Sequence, residues 1–354
     1  MNTSRQKLLV LSLGTTGGHP RYAFKVCECF PSDLNFMMLV NEGADFKFQL
    51  RENVISINTF SSLIQMVIKT LFWLPFWILK NLKFLKSFDV VYVPYPHPWH
   101  TFIGLIMSAF NKKIIFTIHD AQTHPGETYP IEMWFTNLLA QRSSMLIFLS
   151  NFVKNQYFNK RTKKIPFSIA PQGSIDLMGT FKRKTYTNKP KLLFLGRVLE
   201  YKGLDLLLEA IKTLDDIKEL TVAGKFNYDF QYHNNKVKIT NSYLSDEDLF
   251  NLLNEADILV LPYKEASQSG IITLGIKAKI PMIITNVGGL PEQLDGDCGI
   301  ICEPNAPSLR KGIQSIMNSP ELFEKILNSL EVKSRQLDEN WQKTAQIILG
   351  QSYK

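Results

Sequence analysis

One rhythm constrains this chain more than any other feature: short apolar runs alternate with amphipathic stretches, and the alternation starts twice. Residues 8–13, 90–93, 114–118 and 145–149 are brief runs rich in branched side chains. Such runs, with no polar alternation, fit parallel strands covered on both faces. A second set follows at 191–195, 220–222, 237–240, 258–261 and 282–285, with helical patterns at 203–214, 246–254 and 308–318. A Lys-, Thr- and Asn-rich stretch at 180–190 separates the two sets. The pattern predicts an α/β protein of two doubly wound, Rossmann-like domains, over 1–180 and 181–335. A length of 354 residues agrees, since it suits two domains of about 150–200 residues each. No tandem repeat of about 20–50 residues is visible.

Composition narrows the class. Hydrophobic residues are 45% and charged residues 20%, which supports sizeable cores and excludes disorder. Four cysteines (Cys27, Cys29, Cys298, Cys302) are too few for a disulfide scaffold, and no second Cys/His pair joins Cys298 and Cys302 at zinc-site spacing. They read as reduced thiols of a cytoplasmic protein. Lys and Arg outnumber Asp and Glu 40 to 32, a net charge of +8. That balance suits a phosphate-bearing partner: an anionic membrane surface or a phosphorylated small molecule. No RNA-binding signature or zinc finger accompanies the charge, so nucleic acid is not the expected partner. The start runs straight into Leu8-Leu-Val-Leu-Ser-Leu13, which glycine interrupts too soon for a secretory signal.

The segment 61–86 breaks the rhythm. Leu71-Phe-Trp-Leu-Pro-Phe-Trp-Ile-Leu79 is a run of nine apolar residues flanked by Lys69, Lys80, Lys83 and Lys86. The run is too short to span a bilayer. Trp73 and Trp77 lie one helical turn apart, and the lysines are placed to meet anionic headgroups. The expectation is an interfacial helix on the cytoplasmic leaflet. A buried helix with a solvated basic end is the other reading.

Two segments of the second half carry chemistry. In Leu195-Gly196-Arg197-Val-Leu-Glu-Tyr-Lys202-Gly203 a strand ends at Gly196, and Arg197 and Lys202 stand at the mouth of the next helix. Ligands of open α/β sheets bind at the carboxyl ends of strands, and cations beside a helix N-terminus suit a diphosphate. In Leu261-Pro262-Tyr-Lys-Glu265-Ala266-Ser267-Gln268-Ser269-Gly270-Ile271 a strand runs into a small polar loop and a helix. Ser267 is placed to cap that helix, leaving free N–H groups for phosphate oxygens.

Together these segments resemble the family 4 (group 1) glycosyltransferases, retaining enzymes of the GT-B fold. Gly196, Arg197, Lys202 and Gly203 match the family's G-R-x-x-x-x-K-G segment, and Pro262, Gly270, Pro281, Gly288, Gly289 and Glu292 match its donor-loop segment. Pro171-Gln-Gly173-Ser-Ile-Asp176 resembles the turn before the interdomain linker. The likeness covers about 191–304. The N-terminal half matches more loosely, through the glycine-rich Gly14-Thr-Thr-Gly17-Gly18 and the strand-end Phe116-Thr-Ile-His119-Asp120. The sequence departs at the family's two spaced glutamates, which fall on Ala266 and Leu274.

The resemblance implies two facing Rossmann-like domains: 1–180 for the acceptor, 181–335 for a nucleotide-sugar donor, and a helix at 336–354 crossing back. It implies His119, Arg197 and Lys202 as catalytic residues. Gly17, Gly18, Gly196, Tyr243, Glu265, Gln268, Ser269, Gly270 and Ile271 would line the donor site, with Glu265 standing in for the first missing glutamate. Asp120, His124 and Glu127 would face the acceptor, and His97 and His100 would form a rigid wall. No metal or other cofactor is expected: Asp295-Gly-Asp297 reads as a surface turn, and the two cations supply the charge. The implied reaction moves a sugar from a nucleoside-diphosphate sugar to an acceptor hydroxyl with retention. The expected acceptor is a lipid-linked saccharide of surface polysaccharide assembly, at the inner face of the cytoplasmic membrane. A synthase acting on soluble sugars and a catalytically silent binding subunit are the alternatives.

Overall fold

The computed structural model describes residues 6–15, 17–44, 51–123, 130–159, 161, 162 and 164–350. They form two parallel sheets. The first contains β1 (Leu8–Ser12), β2 (Phe36–Asn41), β3 (Val54–Ile57), β4 (Val90–Val93), β5 (Lys113–Ile118), β6 (Met145–Phe148) and β7 (Phe167–Ile169), in spatial order β3-β2-β1-β4-β5-β6-β7. The second contains β8 (Lys191–Leu195), β9 (Glu219–Ala223), β10 (Val237–Thr240), β11 (Ile258–Leu261), β12 (Met282–Thr285) and β13 (Gly299–Cys302), in order β10-β9-β8-β11-β12-β13. The central strands β1, β4, β8 and β11 lie almost wholly inside, as runs without polar alternation require.

The sequence pattern missed β2, β3, β7 and β13. Three of these, β3, β7 and β13, sit at sheet edges, where partial exposure blurs the apolar run.

In each sheet the strand order reverses once, between β1 and β4 and between β8 and β11. A crevice opens at such a switch point, at the carboxyl ends of the strands. The loops after β1, β8 and β11 are the ones that carry the glycine and cation motifs.

The lobes built on these sheets are strapped together. One helix, Pro320–Ile348, runs for 29 residues without a break. Its first half buries Phe323, Ile326, Leu327 and Leu330 in the C-terminal core. Its second half buries Trp341, Ala345 and Ile348 against β1, β2 and Tyr22 of the N-terminal lobe. Trp341 donates its Nε1–H to the Ser174 carbonyl at 2.8 Å, fixing the turn that precedes the linker.

The segment 61–86 differs from its expectation in three ways. The helix begins earlier than the apolar run: Leu63–Lys80 is 18 residues, long and apolar enough by length and composition to cross a membrane, and it includes a π-helical turn at Lys69–Trp73. The tryptophans face inward. Trp73 stacks on Trp99 at 5.4 Å and on Trp77 at 6.3 Å, and both pack on the N-terminal core with buried Leu74 and Ile78. The outward face carries Leu63, Ile64, Val67, Ile68, Leu71, Phe72, Phe76 and Leu79, all exposed. Lys69 folds back, its ammonium donating to the Asn58 side chain and the Thr59 carbonyl, while Lys80 and Lys83 stay exposed.

Candidate active site

On the C-terminal side, Gly196 and Arg197 follow β8, and Lys202 ends the short helical turn Glu200–Lys202. Gly203 follows in a left-handed conformation (φ 68°), and a Cβ there would lie 1.9 Å from the Pro262 carbonyl oxygen. Only glycine lets the two motif segments meet this closely. The contact brings Lys202 Nζ over the ring of Tyr263 at 3.8 Å. A cation held on an aromatic face keeps its N–H donors available. No carboxylate pairs with Lys202 among the described residues.

The donor loop is braced from behind. Tyr263 is buried, its hydroxyl 3.2 Å from Ser269 Oγ, and its carbonyl accepts from Thr285. Gln293 clamps Ser269 twice, accepting from its N–H at 2.7 Å and donating to its carbonyl at 3.3 Å. Ser267 is not the cap: the helix starts at Gly270, Ser269 holds the cap position without a side-chain bond, and Ser267 is buried in the loop. Because Gln293 occupies the Ser269 N–H, the N–H groups left for a ligand are those of Gly270 and Ile271.

On the N-terminal side, buried imidazoles stand behind the loop after β1. His100 accepts from the Leu13 N–H through Nε2 at 3.0 Å, so its Nδ1–H donates to the Tyr95 carbonyl at 2.9 Å. Tyr95 in turn bonds Ser12 and accepts from the Gly14 N–H, both at 2.9 Å. His97 accepts from the Trp99 N–H and caps the helix Pro98–Ala109. Burial pushes the His97 pKa down to about 3 and that of His100 well below its usual value. These two rings build the wall that positions the glycine-rich loop.

His119 follows β5 and bridges the lobes. Its Nε2 lies 2.9 Å from the Pro94 carbonyl, which can only accept, so Nε2 carries the proton. Nδ1 then accepts from Gln268 Nε2 at 3.3 Å, across from the donor loop. Burial, with the neighbouring His19, lowers its pKa to about 3, while Pro94 and Asp120 oppose the shift. His119 is therefore neutral, with both nitrogens committed. Gln268 Oε1 is buried without a hydrogen-bond partner.

The lobes touch elsewhere too. The Glu292 carboxylate accepts from the N–H groups of Asn151 and Phe152, at 2.8 and 2.7 Å, at the N-terminus of the helix Asn151–Phe158. Arg21 pairs with Asp246 at 2.6 Å.

The structure thus gathers Gly17, Gly18, His119 and Asp120 from one lobe with Gly196, Arg197, Lys202, Gln268, Ser269, Gly270 and Ile271 from the other. Glu265 is half-buried in the donor loop. Tyr243 stands apart on the surface past β10, 81% exposed. His124 and Glu127 lie outside the described residues. Ala266 and Leu274 are buried in the C-terminal core, so neither position offers a polar contact to a ligand. Asp295 and Asp297 pair with Lys333 and Lys325 on the surface. Among the described residues, no three His, Cys, Asp or Glu side chains gather as a metal site. Sequence reasoning missed His19, which follows the Gly17-Gly18 pair, and Gln293. Adjacency to the glycine loop was an available signal for the first, and none was available for the second.

Comparison with known proteins agrees with this geometry. The family model described as Glycosyl transferases group 1 matches residues 189–319. An uncharacterized glycosyltransferase of Methanocaldococcus jannaschii is 23% identical over 249 residues, covering 69% of each chain. An uncharacterized 41.2 kDa protein in the cps region of Klebsiella pneumoniae is 24% identical over 250 residues, covering 63% of this chain and 67% of its own. The structure of Anabaena HepE in complex with UDP and glucose superposes with a TM-score of 0.73 at 13% identity, covering 97% of this chain and 99% of that one. The G-R-x-x-x-x-K-G cations at one switch point face the glycine-rich loop at the other; residues 189–319 are similar to the group 1 glycosyltransferases, and the chain as a whole has the GT-B fold.

Proposed function

We propose that this enzyme, a family 4 type, transfers a sugar from a nucleoside-diphosphate sugar to a lipid-linked saccharide acceptor with retention, at the cytoplasmic face of a membrane. The observation that carries the donor reading is the Lys202 ammonium, held over Tyr263 without an anionic partner, beside Arg197 and the open N–H groups of Gly270 and Ile271. Sugar transfer builds oxocarbenium character on the sugar and negative charge on the leaving diphosphate. Arg197, Lys202 and the helix N-terminus stabilise that charge where it develops, which leaves a metal dispensable. Gly17 and Gly18 let the phosphates approach the backbone. His119, with Gln268, positions the sugar. No protein nucleophile is needed if the acceptor attacks from the face the diphosphate leaves and the departing phosphate oxygen takes the acceptor's proton.

The outward apolar face of Leu63–Lys80 supports the membrane part. An exposed stripe of this length, next to Lys80, Lys83 and Lys86, fits a helix lying in an anionic interface. Burial of Leu74 and Ile78 in the lobe favours lying on the membrane over crossing it. A second reading, a synthase acting on soluble sugars, draws on the neighbour that binds UDP and glucose.

Calorimetry with UDP, GDP and ADP tests the donor site. One nucleotide binds the wild type, and Arg197→Ala/Lys202→Ala loses it. Binding unchanged in the double variant refutes the site. Flotation with liposomes, with and without anionic lipid, tests docking, and failure with both sinks it.

A further inference from the structure

We propose that His19 is the imidazole that touches the diphosphate, donating a hydrogen bond to the β-phosphate of the donor, while His119 acts on the sugar only through Gln268. The inference rests on the donor-cleft reading above.

His119 has nothing left to offer a phosphate. Its Nε2–H is given to Pro94 and its Nδ1 lone pair to Gln268. The His19 ring lies against the edge of His119 at a centroid distance of 4.8 Å, yet neither of its nitrogens has a hydrogen-bond partner among the described residues. The ring is nonetheless fixed. It stacks on Tyr95 at 5.0 Å with a 9° interplanar angle, and Tyr95 is itself pinned by Ser12 and Gly14. An unpartnered imidazole held this rigidly is preorganised for a ligand.

The volume beside it is open. A Cβ added at Gly17 or Gly18 would meet nothing within 4 Å. Arg197, from the opposite lobe, is near enough for its charge to act on the His19 ring, and Asp120 faces the same ring from its own lobe. His19 and Arg197 therefore address one space from two sides. A guanidinium and a neutral imidazole N–H together suit an anion, and the anion of this reaction is the diphosphate. His19 is also the second residue of the helix Gly18–Glu28, whose amino end favours negative charge.

The test compares nucleoside diphosphates with nucleoside monophosphates, which lack the β-phosphate. Calorimetry measures UDP, GDP and ADP, then UMP, GMP and AMP, on wild type, His19→Ala, His19→Asn and His19→Gln. A lost hydrogen bond to a charged group predicts about ten- to a hundredfold weaker diphosphate binding by His19→Ala. The matching monophosphate is expected to bind as in wild type, and the Asn or Gln amide to restore part of the loss. Equal weakening of both nucleotides makes His19 structural and overturns the proposal. So does a His19→Ala protein that binds the diphosphate as wild type does. If the wild type binds none of the three diphosphates, the cleft reading fails first and takes this inference with it.

Discussion

Two apolar helices in this molecule have opposite fates. Gly270–Lys277 buries Ile272, Thr273, Leu274, Gly275 and Ile276 inside the C-terminal lobe. Leu63–Lys80 is just as apolar, but it buries only Leu74 and Ile78, and Leu63, Phe72 and Leu79 stand more than two-thirds exposed. The first helix lies between β11 and β12 in sequence and packs back onto its own sheet. The second meets its lobe along one edge, through Leu74, Ile78 and the Trp73–Trp99 stack, and turns the rest outward. Hydropathy shows that a helix needs apolar cover. It does not show whether that cover belongs to the same chain.

The sharpest way to break the comparison is to trim each helix. Ile272→Ala should destabilise the fold by about 2–5 kcal/mol, whereas Phe72→Ala should stay within about 0.5 kcal/mol, both read by denaturant unfolding. Equal losses would mean that the outer helix is covered in solution.

The charges beside the helices should separate next. Arg197→Ala or Lys202→Ala should each cost about 2–4 kcal/mol of transition-state stabilisation, read as kcat/KM, and leave liposome flotation unchanged. Conversely, Phe72→Asp/Phe76→Asp should abolish flotation, since each buried aromatic contributes about 1.5–3 kcal/mol to docking, and leave nucleotide binding intact.

Acid should also tell the lobes apart. Every described imidazole with a lowered pKa (His19, His97, His100, His119) is in the N-terminal lobe. Each binds its proton more readily unfolded, near pH 6.5, than folded, so acid favours unfolding. Stability is full above pH 6.5 and falls as pH drops toward about 3, where His97 and His119 titrate in the fold, by at most about 1.4 kcal/mol per pH unit for each ring. Hydrogen exchange across that window should lose protection in the N-terminal lobe first. The smallest effect belongs to the interlobe cap. Glu292→Ala should cost about 1 kcal/mol of stability and mainly free the lobes to open, read as faster exchange at Asn151 and Phe152.

How legible all this was depended on the kind of contact involved. Gly203 is demanded by a backbone approach to Pro262, so the motif could be read from residue order alone. Arg197 and Lys202 were legible because the cations sit next to the strand end they serve. His19 was not singled out, because its significance comes from Tyr95, His119 and Arg197, which are distant in sequence. Ser267 was read as a cap because cap chemistry is local, yet Gln293 takes over the bracing of the loop from 24 residues away.

The sequence by itself determined the two α/β series, the switch-point loops and the cations that stand beside them, since strand periodicity and glycine geometry are local. Only the tertiary structure decided which imidazole is committed and which is free, and which side of Leu63–Lys80 faces out. Those depend on partners that the chain brings together only after it folds, and hydrogen-bond capacity and solvent exposure are properties of the assembled surroundings.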